Sequence, residues 1–150
     1  MLVQLLPDQI SKFWGILKYS LYEAPPLTAN LSYDDWANRI LRQALSGQIE
    51  VWASYTKDDE LVFEGIMLTT FLYDPLIDVR DLLIYYIYGY GDISQESKRA
   101  ALRTIAKYAK SRDCRRITAY TNEPAVVSLV KRMGGDASIT FITFNVEDLL

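Results

Sequence analysis

Apolar side chains in the first quarter of the chain fall at helical spacing: Ile10, Phe13, Trp14, Leu17 and Leu21. That period predicts a helix. Pro7 opens it, at a position where a missing N–H costs nothing, and it stops before Pro25-Pro26. Residues 1–5 read as a short strand ahead of it. A second helix is predicted from Ser32, an N-cap residue type with Asp35 three residues on. Its apolar stripe is Trp36, Ile40, Leu41 and Leu45, and Gly47 stands at the expected C′ position.

The period then changes from 3.6 to 2. Ile49, Val51, Ala53 and Tyr55 alternate with polar residues, as a half-buried strand does. Lys57-Asp58-Asp59-Glu60 reads as a polar hairpin turn rather than a cation site, and residues 61–73 return as a longer strand. Asp74-Pro75 ends that hairpin. A third strand is predicted over 81–90, rich in β-branched and aromatic side chains. Ser94 then caps a helix of about eighteen residues with Leu102, Ile105, Ala106 and Ala109 inward. A strand over 115–121, a helix over 123–133 ended by Gly134-Gly135, and a last strand over 139–146 complete the order β-α-α-β-β-β-α-β-α-β. Strand, helix, strand over 81–121 implies a parallel pair with a right-handed crossover. The class is α/β, with a mixed sheet that is antiparallel first and parallel later, in one domain over residues 1–150.

Composition narrows the chemistry. Half of the 150 residues are hydrophobic and 23% are charged, which excludes a disordered chain. There is no histidine, one cysteine (Cys114, read as an inert small residue) and eleven tyrosines. Ser-His-Asp and Cys-His nucleophilic mechanisms and His/Cys zinc sites are therefore excluded, and no metal is expected. One cysteine forms no disulfide within the chain, so nothing points to an oxidising compartment. The apolar start is too short for a signal segment, and the run from Leu82 to Gly91 is about half a membrane span. A soluble, cytoplasmic protein is the expectation.

The order of elements, and the last third in particular, resembles the GNAT acyltransferase superfamily. Residues 101–109 (ALRTIAKYA) are similar to the family's helix after the central strand, and residues 115–121 (RRITAYT) to the strand that follows. Asn122-Glu123-Pro124-Ala125, then Lys131-Arg132-Met133-Gly134, resembles the helix that begins N-x-x-A and ends K-x-G-F. Gly65 falls where the hairpin strand often carries glycine. The resemblance implies a GNAT-like sheet and, for active members, N-acyl transfer from acetyl-CoA or another acyl-CoA.

The functional part of that pattern is altered. Acetyl-CoA-using members carry R/Q-x-x-G-x-G/A before the helix, where small residues bring backbone N–H groups close to a pyrophosphate. Here the stretch is Ile93-Ser94-Gln95-Glu96-Ser97-Lys98-Arg99-Ala100, without glycine and with Glu96 in the first helical turn. No cofactor is expected; if an acyl-CoA binds, Ser94, Gln95, Ser97, Lys98 and Arg99 are the residues to hold it. Gly89 and Gly91 read either as a displaced phosphate loop or as a strand end. The position of the family's late tyrosine, a general acid, falls on Ser128, Leu129 or Val130. Ser128 is the one catalytic candidate, and its hydroxyl is a poor acid. Glu50, Glu64 and Asp92 are candidate bases for an acceptor amine.

Charge is divided along the chain: net −8 over residues 1–97 and +5 over 98–150. Arg99, Arg103, Lys107 and Lys110 share one helical stripe, read as a solvated face or as one that receives an acidic protein, a second copy or nucleic acid. The pI of about 5 opposes a dedicated nucleic-acid role. Tyr86, Tyr88 and Tyr90 share a strand face, read as packing rather than a base-stacking platform. Two functions follow: a GNAT-like protein without transferase activity that works as a binding or assembly component, or a divergent N-acyltransferase. Degenerate proteins of this fold and size among tailed-phage assembly and virion proteins supply the analogy for the first.

Overall fold

Pro7 begins the first helix as its type requires, and the Gln9 side chain accepts the N–H of Leu6 at 2.8 Å just ahead of it. The computed structural model describes residues 1–28, 32–57 and 60–150. They form two units, Met1–Tyr120 and Thr121–Leu150. Asp58 and Asp59 of the expected hairpin turn lie outside the described residues.

The first unit runs β1 (Leu2–Gln4), α1 (Pro7–Glu23), α2 (Tyr33–Leu45), β2 (Glu50–Lys57), β3 (Leu61–Asp74), β4 (Val79–Gly89), α3 (Gln95–Ser111) and β5 (Arg116–Ala119). Among the described residues the sheet has the order β1-β2-β3-β4-β5. Every pairing is antiparallel except β4 with β5, which α3 joins in parallel. This is the mixed sheet expected from the sequence.

Helices cover both faces. On one, α1 and α2 bury Ile10, Leu17, Leu21, Trp36, Ala37 and Ile40 against Val51, Ile66, Leu68 and Tyr86. On the other, Ile105 and Ala109 of α3 meet Trp52, Met67, Leu82 and Ile84. Each large aliphatic side chain fully buried here contributes about 1.5–3 kcal/mol.

Two expected stripes shift. Leu45 is exposed, because α2 turns Ala37 and Ala44 inward beside Trp36 and Ile40. Ala106 is exposed as well, since it sits about 100° around the helix from Ile105. Ala101, Leu102 and Tyr108 fill that side instead.

Two strands carry an unpaired residue. Ser54 pairs with Gly65 and Tyr55 with Phe63, so Glu64 bulges from β3. Leu68 pairs with Tyr86 and Thr69 with Ile84, so Tyr85 bulges from β4. The second bulge reverses the strand's faces. Leu82 and Ile84 pack with α3, whereas Tyr86 and Tyr88 pack with α1 and α2. Regular alternation would put all four on one side.

β5 is pinned by charge. Arg116 donates from Nε and Nη2 to the two carboxylate oxygens of its register partner Asp81, at 2.9 and 2.8 Å. That bidentate contact also raises the pKa of the guanidinium.

The second unit holds α4 (Pro124–Arg132), again with Pro at its start. Gly134 takes φ +84° and the Gly135 N–H returns to the Val130 carbonyl at 2.8 Å, closing the helix where the glycine pair predicts. The strand expected over 139–146 does not form. Residues 136–145 follow no regular element, and a 3-10 helix occupies Val146–Leu149. β-propensity marks a segment that fits a ladder; it does not supply the neighbouring strand that the ladder needs.

Candidate functional site

The parallel ladder between β4 and β5 is short. It runs from Asp81–Arg116 to Ile84–Ala119 and stops at the Tyr85 bulge. Beyond it β4 continues to Gly89, paired among the described residues with β3. A fork therefore opens on the β5 side of Tyr85–Gly89, and the chain turns from its tip into α3.

That turn uses Gly91 at φ +72° before Ser94 caps α3. Of the two upstream glycines, Gly91 meets the need for unusual backbone angles, whereas Gly89 lies inside the ladder opposite Gly65. The Ser94 hydroxyl accepts the Ser97 N–H at 3.1 Å, the N-cap geometry expected of it.

A carboxylate comes up beneath this helix end. Ser97 donates its hydroxyl to Glu64 Oε1 at 3.4 Å. Glu64 also accepts hydrogen bonds from the Ser54 hydroxyl, at 3.1 Å, and the Thr56 hydroxyl. It is held there because it is the bulge residue of β3, with the Tyr90 N–H on its carbonyl at 2.7 Å. Exposed Glu96 adds a second carboxylate in the first turn of α3. Of the five positions expected to hold an acyl-CoA, Ser94 accepts the Ser97 N–H, and the Ser97 hydroxyl donates to Glu64. Gln95, Lys98 and Arg99 are exposed on the first turns.

On the opposite face an aromatic cluster fills the space between α1 and the sheet. Phe63 meets Phe13, Tyr55 and Tyr90 at centroid separations of 5.2, 5.6 and 5.2 Å, and Tyr88 meets Tyr90 at 4.8 Å. Tyr90 shares a hydrogen bond with the Ser20 hydroxyl, and the Tyr86 hydroxyl donates to the Ser20 carbonyl at 2.8 Å. Burial, with Tyr88 and Tyr90 nearby, pushes the Tyr86 phenol well above its ordinary value. Tyr86 and Tyr90 tie α1 to the end of β4.

The candidate bases are not brought together. Glu50 is buried at the start of β2, accepting from the Thr69 hydroxyl at 3.2 Å and the Tyr108 hydroxyl at 2.9 Å. Glu64 holds the α3 end, and Asp92 is exposed in the turn before it. Ser128 is exposed on α4, in the second unit. Arg99, Arg103, Lys107 and Lys110 are all exposed along α3, and the ion pair found among the described residues joins Arg116 to Asp81 instead.

From the sequence Glu64 is only a possible base, and Ser20 carries no signal at all. The signal for Glu64 was present in the polar pair Ser54 and Thr56 across the hairpin, but the bulge that aims it was not visible. Among the described residues no helix is long and apolar enough to cross a membrane.

No protein-family model matches the sequence, and no curated protein matches it. Solved structures do. A predicted acetyltransferase from Clostridium acetobutylicum, solved with acetyl-CoA, has a TM-score of 0.71 at 15% identity, covering 99% of this chain and 97% of that one. A putative acetyl transferase from Pyrococcus furiosus gives 0.69 at 18%, covering 97% and 99%. A ribosomal-protein-alanine N-acetyltransferase from Brucella melitensis gives 0.65 at 16%, also covering 97% and 99%. At such identities the likeness establishes the fold: the chain has the GNAT fold.

Proposed function

We propose that this GNAT-fold protein works by binding, as a component of a larger assembly, without acyl-transfer activity. The observation that carries the reading is the Glu64 carboxylate on Ser97, with Glu96 beside it, at the α3 end where a pyrophosphate would sit. A helix N-terminus favours an anion, but two carboxylates of the chain already stand at this end and repel another one. Each hydrogen bond to a charged group contributes roughly 1.5–3 kcal/mol. Loss of two such bonds weakens a micromolar ligand on the order of 100-fold or more. The exposed stripe Arg99, Arg103, Lys107 and Lys110 is the proposed partner face, for an acidic protein surface or a second copy. The tailed-phage assembly proteins of this fold are the analogy for its setting.

The fork beyond Ile84 and Ala119 favours a second reading, a divergent N-acyltransferase, because it leaves one side of β4 open beside α3. In that reading Ser94, Gln95, Ser97, Lys98 and Arg99 hold an acyl-CoA, and Ser128 is the weak candidate acid.

Thermal melting with millimolar acetyl-CoA separates the two. A ligand at 100 times its dissociation constant stabilises by about 2.7 kcal/mol, several degrees for a domain of this size. The binding reading expects no shift; a clear upward shift overturns it.

A further inference from the structure

A cavity of about 240 Å³ lies at the sheet edge just beyond the end of β1, between both helical layers, with Glu50, Tyr108 and Arg112 in its lining. Room for about eight waters suits a ligand of roughly nine heavy atoms. Its walls are mostly apolar, including Leu5, Ile10 and Phe71. Glu50 and Arg112 are the carboxylate and the cation among the lining residues.

Glu50 is 7% exposed, and its described partners are two hydroxyl groups rather than a cation. Those donors are themselves positioned. Thr69 Oγ1 accepts the Trp52 indole N–H at 2.9 Å, and Tyr108 packs edge-on against Trp52 at 5.0 Å. Each carboxylate oxygen has two acceptor sites, so one hydroxyl on each leaves capacity for a further donor. A buried carboxylate without a cationic partner is costly, and an ammonium group would complete it. Arg112 is exposed, with its guanidinium 5.4 Å from the Tyr108 ring centroid.

We infer that this cavity binds a small apolar α-amino acid, with its ammonium group on Glu50, its carboxylate toward Arg112 and its side chain along Leu5, Ile10 and Phe71. A simple cation would leave Arg112 unmatched, and a simple acid would meet Glu50. The zwitterion matches both. The site lies away from the α3 N-terminus and stands whether or not the binding reading above holds.

The test is a titration with L-leucine followed by nuclear magnetic resonance at the Trp52 indole N–H, which reports on Glu50 through Thr69. The expected result is a saturable shift that weakens at least about tenfold in Glu50→Gln and in Arg112→Gln, an energy of one lost charged contact. Isoamylamine and 4-methylpentanoate, each with one of the two charges, are expected to bind more weakly than leucine. The absence of a saturable shift through about 10 mM, ten times a millimolar dissociation constant, overturns the inference. So does an unchanged response in folded Glu50→Gln, or an equal response to either single-charge probe. If Glu50→Gln does not fold, Leu6→Trp decides, because Leu6 lines the cavity yet is 61% exposed. Loss of the leucine response there supports the site, and a wild-type response overturns it.

Discussion

A Cβ placed on Gly65 would stand 2.5 Å from the carbonyl oxygen of Tyr88. The obstacle is backbone of the neighbouring strand, so it moves only if the β3–β4 ladder moves. Gly65→Ala is expected to destabilise the fold by about 1–3 kcal/mol, the usual cost of overpacking. Gly15 makes the opposite case, since it lies inside α1 with open space around the same position. Gly15→Ala is expected to stabilise by about 0.5–1 kcal/mol. Urea melts of the two variants, read against wild type, check both signs.

Asp81 and Arg116 bear unequally on their ion pair, with side-chain exposures of 9% and 54%. Arg116→Ala leaves a buried carboxylate without its cation and is expected to cost about 2–3 kcal/mol, below the 3–5 of fully buried pairs. Asp81→Asn leaves a guanidinium that water solvates, and about 1 kcal/mol is expected. Equal losses in denaturant unfolding would show that burial does not set the balance.

Glu64 collects hydroxyl groups from Ser54, Thr56 and Ser97. Glu64→Ala strands these donors and is expected to destabilise by about 1–3 kcal/mol. Glu96→Gln removes only a favourable charge at the helix end. Its expected loss, about 0.3–1 kcal/mol, fades in molar salt. Chemical unfolding at low and high ionic strength separates the two carboxylates.

Burial, then the hydrogen bond and charge of Glu50, push the Tyr108 phenol up to about 12 from an ordinary value of 10.0. Between those values the folded state holds a proton that the unfolded chain has released. Stability from this group is therefore complete below about pH 10 and lost as pH rises toward 12. Tyr108→Phe is expected to flatten the alkaline limb of the stability curve. Absorbance titration of the folded protein should show Tyr108 and Tyr86 ionising late.

Charge reversal along α3, as in Arg103→Glu with Lys107→Glu, touches only exposed positions. Stability is expected to change by no more than about 0.5 kcal/mol. Under the binding reading, sedimentation or cross-linking of the native complex loses the partner, and moderate salt imitates the loss.

What could be read in advance follows the range of the interactions involved. Pro7, Gly47, Ser94 and Gly134 announced helix ends because capping is settled within a few residues. The β2–β3–β4 meander was legible for the same reason, its alternation surviving on either side of each bulge. Ser32 kept its position but not its bond, for its hydroxyl donates to Asp35 Oδ2 at 2.7 Å instead of accepting a backbone N–H. The bulges themselves were invisible, because one extra residue in β4 depends on how β3 lies beside it. Residues 139–146 mislead for the converse reason, having strand chemistry without a ladder.

For anyone editing this chain, the unpaired Tyr85 is the residue that β4 can lose without changing phase. Its deletion joins Ile84 to Tyr86, and plain alternation then keeps Ile84 opposite Thr69 and Tyr86 opposite Leu68. Tyr86 and Tyr88 stay in their helical layer, and the frame of Tyr90 toward Ser20 is kept. Deleting a paired residue such as Ile87 does the reverse, moving Tyr88 to the position opposite Met67 on the α3 side. Length and phase are thus separate design variables in this strand, and residue 85 carries length alone.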